Sequence, residues 1–174
     1  MARLIEAVEA EFETDYAVLS LAQESGGGGF PGGFVGTVPG GVDAQCGTKY
    51  ARVKARAERW DARPPLQRGW EDIDEWPFEE IPGGGPLGLS GFDPQDVGLD
   101  VEGLGRARVV VYARGRQRYG YFELSDPLEP EEWLFQVFPD PERLDALAGD
   151  PRRLSGRAPF SPPPRTGWYA ARDA

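Results

Sequence analysis

Val8-Glu9-Ala10-Glu11-Phe12-Glu13 alternates apolar and acidic residues without a break. A period of two puts Val8, Ala10 and Phe12 on one side and the three glutamates on the other, the pattern of a half-buried strand. A helix would instead spread those glutamates around much of its circumference. The segment Lys49 to Trp60 repeats the pattern, with Ala51, Val53, Ala55 and Ala57 on one face and Arg52, Lys54, Arg56 and Glu58 on the other. Its alanines permit a helix, but the strict alternation predicts a strand.

Working outward, Trp70 to Ile81 reads as a strand with Pro77 inside it, which places it at a sheet edge or a bulge. Shorter strands are expected at Pro86–Ser90, Arg106–Arg114, Tyr119–Leu124 and Glu132–Phe138, with Val109, Val110 and Val111 the most apolar run. Residues 25–41 read as a glycine-rich loop. They lack the Gly-Lys-Ser/Thr ending of a phosphate-binding loop, and no helical pattern follows them. Asp140-Pro141 opening and Gly149 closing predict one helix over 141–149. The expectation is an all-β chain: an antiparallel β-sandwich of about eight strands over residues 1–149. An irregular Arg- and Pro-rich tail over 150–174 carries Trp168 and Tyr169.

Composition closes several functional routes. The chain has 174 residues, no histidine and one cysteine, Cys46. Imidazole bases, Ser-His-Asp and Cys-His arrangements, histidine-ligated metals and cysteine zinc clusters are therefore excluded within it. Ser90 stands outside a nucleophile elbow, and Cys46 reads as an incidental thiol. Expected cofactors and metals are none. Only Lys49 and Lys54 are lysine against 17 arginines, and asparagine is absent, which fits a coding sequence of high G+C content. No targeting or spanning stretch is read, so the expected location is cytoplasmic.

Charge is arranged in blocks. The net charge is −10, and between Gly69 and Gly105 there are ten acidic residues with no lysine or arginine. Arg106 to Arg118 then holds five arginines and no acid. Such segregation either steers a basic partner or lets charges pair across the sheet, Arg106 and Arg108 against a neighbour's acids. Asp72 and Asp74, two apart on a strand, are the one carboxylate pair that a hydrolase or a divalent cation could use. The basic clusters Arg52-Lys54-Arg56-Arg59 and Arg114-Arg116-Arg118, with Tyr112, Tyr119 and Tyr121 interleaved, suit a protein interface better than nucleic acid, which the surrounding negative charge repels.

The half of the chain from Ala51 to Pro139 also carries Pro64-Pro65, Gly69-Trp70-Glu71-Asp72-Ile73-Asp74-Glu75, Gly88-Leu89-Ser90-Gly91, the run from Gly105 to Arg116, and Glu131 to Pro139. It resembles a group of small uncharacterised actinobacterial β-rich proteins, and more distantly the competence protein J, or nuclease-inhibitor, family of bacilli. The first group brings no assigned activity. The second implies a β-sandwich that binds and silences a nuclease, although none of that family's inhibitory residues matches a position here. Together these readings give a non-enzymatic protein-binding protein, an inhibitor or immunity-type protein. Its acidic face of Asp72, Asp74, Glu75, Glu79 and Glu80 is expected to cover a basic site on a nuclease or toxin, with Trp168 and Tyr169 as further contacts. The alternatives are an accessory subunit of a larger assembly and, more remotely, a carboxylate-only hydrolase.

Overall fold

The computed structural model describes residues 1–24, 33–91, 97–120, 122–124, 126 and 128–140, and the backbone of Arg152–Arg153. Among them there is no helix, and the fold is all-β in two mostly antiparallel sheets. The strands are β1 (Leu4–Glu13), β2 (Val18–Ala22), β3 (Val35–Val38), β4 (Gly41–Gln45), β5 (Arg52–Trp60), β6 (Asp72–Glu79), β7 (Leu87–Ser90), β8 (Gly98–Leu99), β9 (Arg106–Arg114), β10 (Glu131–Pro139) and β11 (Arg152–Arg153). The larger sheet runs β1-β5-β10-β9-β6-β11 and the smaller β3-β4-β2-β7-β8. No helix among the described residues is long and apolar enough to cross a membrane.

Alternation sets the faces as the sequence reading requires. Ala51, Val53, Ala55 and Ala57 are buried while Lys54 is exposed. The alanines, poor strand formers in isolation, are explained by their neighbours: Trp133 of β10 lies between Ala55 of β5 and Ala113 of β9. Small residues flanking a large one let the layer close at interior density. One cluster joins these residues to Leu19, Leu21, Val42, Leu87 and Leu89 of the smaller sheet.

Four expectations are corrected. β5 and β10 run parallel, so the larger sheet is mixed. The described residues hold eleven strands where about eight were expected, partly because the glycine-rich stretch contains β3 and the start of β4. There glycine serves close packing, since a Cβ on Gly41 would lie 2.2 Å from the Leu21 carbonyl oxygen. Among the described residues of 119–124 no strand forms: Glu123 N–H closes a turn onto the Gly120 carbonyl, and Leu124 makes an isolated bridge to Tyr50. Finally, β11 falls within the stretch read as irregular tail, Arg152 opposite Glu75 and Arg153 opposite Asp74. The helix expected over 141–149, with Trp168 and Tyr169, lies outside the described residues.

The outer face of the larger sheet carries a second apolar cluster. Val110, Tyr112, Leu134 and Phe138 pack with Trp60, Trp70 and Ile73. The segment 61–70 approaches this face with buried Pro64, and the Gln67 N–H donates to the Tyr112 hydroxyl at 3.3 Å. β9 is thus buried on both sides, which accounts for its unbroken valine run.

Candidate functional site

The acidic strand β6 does not present an acidic face. Asp72 is 8 % exposed and accepts a bond from Arg116 Nη1 at 3.0 Å. Asp74 is 3 % exposed, and its Oδ1 accepts from the Glu75 N–H. Glu75, fully buried, is gripped by Arg63 through Nη1 and Nη2 at 2.9 and 2.5 Å and by Arg108 Nη1 at 3.0 Å. Arg108 passes on to Asp140 through its Nε at 2.6 Å. Glu80 binds the N–H groups of Gly103 and Gly105, fixing the turn before β9. Glu79 alone of the five is exposed. The physical reason is that β6 is covered on both sides, by the smaller sheet inside and by Arg63 and its neighbours outside. Asp72 and Glu75 are accordingly neutralised by arginines from elsewhere in the chain. The pairing of Arg108 with a neighbouring strand's acid is the alternative that the sequence also offered.

A second polar cluster lies between the sheets. The Arg116 guanidinium sits 4.5 Å over Phe34 and 5.7 Å from the Trp133 ring, with its Nε donating to the Gln45 carbonyl. Beside it, Glu131 accepts from the Gly47 N–H at 2.9 Å and from Trp133 Nε1 at 3.3 Å. Burial raises the Glu131 carboxyl to about 7. Burial first, and then the Glu131 charge, pushes the Cys46 thiol well up. A thiol held neutral in this way is a packing residue rather than a nucleophile.

Glu131 gives a pH dependence of fixed sign. The unfolded chain releases this proton near pH 4.5 and the folded chain near 7. The folded state therefore holds the extra proton in that window, and stability falls as pH rises through it, by on the order of 3 kcal/mol in total. Urea unfolding at a series of pH values between 4 and 8 should show that decline, and Glu131→Gln should flatten it. An unchanged slope in the variant would assign the titration to another group.

The concave feature with the richest mixture of groups lies on the outer face of β5 and β10. It is a groove of about 260 Å³ lined by Lys54, Arg56, Glu58, Trp60, Gln67, Trp70, Leu134 and Gln136, with Glu9 and Glu132 at its margin. Glu58 is its fixed point, accepting from Arg56 Nε at 2.7 Å, Trp60 Nε1 at 2.9 Å and Gln136 Nε2 at 2.9 Å. Although burial opposes it, these three donors lower the Glu58 carboxyl from its ordinary value, so it stays ionised at neutral pH. Arg56 also pairs with Glu9, and Arg114 with Glu132. Trp70 is braced by Tyr112 at 5.8 Å between ring centroids and by the Arg114 guanidinium at 5.2 Å.

Of the groove residues only Lys54 and Arg56 lie in a cluster read as suited to a protein interface, and none was among the named contacts. Two signals for them stood in the sequence: Glu58 is the one acid on the basic face of β5, and Gln136 interrupts the apolar run from Trp133 to Phe138. No group of acids and cysteine among the described residues is arranged to hold a metal ion. No family model, curated protein or solved structure matches this chain.

Proposed function

We propose that this chain is a β-sandwich binding protein without chemistry of its own, which holds a basic protein partner as an inhibitor or immunity-type protein does. The observation that carries the reading is the groove itself. Two tryptophans and an ionised, triply hydrogen-bonded Glu58 are held in place on a sheet face where the other charges are largely paired off. Pre-organised aromatic side chains around a polar floor are the usual anchors of protein interfaces. The net charge of −10 favours a basic partner and would speed its approach. The partner-facing surface is thereby moved from β6 to β5 and β10, with the exposed Glu79 left as an outlying charge.

The test begins with a protein recovered from a lysate of the source cells at low salt and then purified. It should form a one-to-one complex whose association rate falls at least about tenfold between 50 and 500 mM salt. Trp60→Ala should weaken that complex by about 2 kcal/mol or more. Reversals at the margin, Glu9→Lys and Glu132→Lys, should slow association while leaving dissociation nearly unchanged. A partner indifferent to salt and to all three substitutions, or the absence of any partner, would overturn the reading.

A further inference from the structure

The buried polar atom of the groove that lacks a partner is an acceptor. Gln136 is 1 % exposed and donates through Nε2 to Glu58, while its Oε1 is buried with no hydrogen-bond partner among the described residues. That orientation of the amide is forced, because a carboxylate only accepts and the nitrogen must face it. Glu58 itself has room for about one more donor after the three it holds, given roughly four lone-pair positions on a carboxylate. By contrast, Arg56 and Arg114 already donate to Glu58, Glu9 and Glu132. A buried acceptor left empty is costly, and a donor brought by a ligand recovers that cost.

The walls narrow the choice of donor. Trp60 and Trp70 both line the groove, and Trp70 already has a guanidinium against its ring, from Arg114 at 5.2 Å. A flat cation carrying several N–H groups in one plane satisfies both features at once. It can lie against an indole and send parallel donors to two neighbouring acceptors. An ammonium has no plane to stack, and a carboxylate or phosphate would meet the charge of Glu58. Of the charged residues lining the groove, Glu9, Glu58 and Glu132 outnumber Lys54 and Arg56. Lys54 is exposed on a flexible stem and can swing clear.

We infer that the groove between Trp60 and Trp70 is a seat for the guanidinium of an arginine side chain presented by the protein partner, with Glu58 and Gln136 Oε1 as its acceptors. This rests on the protein-binding reading above and names the chemistry of its anchor.

The test uses the full chain labelled with ¹⁵N and follows the indole N–H signals of its five tryptophans. The probes are N-acetyl-arginine methylamide, its lysine and citrulline counterparts, and free L-arginine. The blocked arginine should give saturable shifts at Trp60 and Trp70. The lysine probe should bind at least about tenfold more weakly, and citrulline, of the same shape but uncharged and with one donor replaced by an acceptor, weaker still. Gln136→Met and Glu58→Gln should each cut arginine affinity about tenfold or more, and each variant's melting curve and remaining indole spectrum verify its fold. Equal binding of arginine and citrulline, shifts confined to other indoles, or unchanged affinity in both folded variants would overturn the inference. So would tight binding of free arginine with none of the blocked form, which would mark a small-molecule site. The two readings fail separately. A purified partner that binds wild type and Gln136→Met alike, with the arginine probe silent, removes this seat but leaves protein binding intact. Saturable arginine shifts with no partner to be found do the reverse.

Discussion

Gly47→Ala is expected to prevent folding or to cost on the order of 4 kcal/mol or more, the range reached only by severe steric or buried-charge lesions. A Cβ at position 47 would lie 1.4 Å from the Arg116 carbonyl oxygen and 2.4 Å from its carbonyl carbon. Both are backbone atoms, so no side-chain rotation relieves the clash. Neither segment is free to retreat. The Gly47 N–H is tied to Glu131, the Arg116 guanidinium to Gln45 and Asp72, and the Thr48 hydroxyl to the Glu123 carbonyl. The glycine is needed here for space. Gly83 makes the contrasting control, since its φ of +76° favours glycine but nothing lies within 4 Å of a Cβ there. Gly83→Ala should cost only about 1 kcal/mol, the strain of the left-handed backbone. Soluble yield, far-ultraviolet circular dichroism and urea midpoints of the two variants decide the matter. Equal stability would mean that the 46–48 and 115–117 turns do not meet.

What the sequence disclosed and what it hid follow one physical line. Alternation is a local property, and it correctly assigned the faces of Val8 to Glu13 and of Ala51 to Ala57. It could not say that Glu75 and Asp74, on opposite faces of one strand, would both be buried, because that depends on what covers each face. The cover on the outer side comes from Arg63 and Pro64, in a stretch whose Pro-Pro pair reads only as a strand terminator. Glycine misled for the same reason. Gly36 and Gly41 sit in strands, and at Gly41 two backbones press together, yet a run of glycines in sequence reads as a loop. The parallel pairing of β5 with β10 joins segments some eighty residues apart, and no periodicity within either one encodes it. The groove was legible only as anomalies, an acid among bases at Glu58 and an amide among hydrophobes at Gln136. Such local inconsistencies tend to mark sites, because a side chain that weakens its own strand's logic needs a compensating role.

Glu75→Ala is expected to lose about 3–5 kcal/mol, the cost of stranding a buried charge. Arg108 is 5 % exposed and shares its guanidinium between Glu75 and Asp140, while Arg63 holds Glu75 from the solvent side. Removing the shared carboxylate takes from Arg63 its pair and from the buried Arg108 one of its two. Replacing the ion pair with apolar groups, Glu75→Leu with Arg108→Met, should recover part of the loss but takes the Arg108 guanidinium away from Asp140. Adding Asp140→Asn should bring the triple variant back to within about 2 kcal/mol of wild type, since buried ionic groups are often no better than well-packed apolar ones. Salt separates this network from the surface pairs. Arg52→Ala, which breaks an exposed pair with Glu11, should cost under about 0.5 kcal/mol and nothing measurable in 1 M NaCl. The Glu75→Ala loss should persist there, because Glu75, Arg108 and Asp140 are buried and little screened, Arg63 alone of the network being open to solvent. The same series tests where a partner docks. If β6 were a contact surface, Glu75→Ala would weaken binding in protein that is still folded. On the buried-network account, the folded fraction binds as wild type does, and affinity corrected for unfolded protein is unchanged.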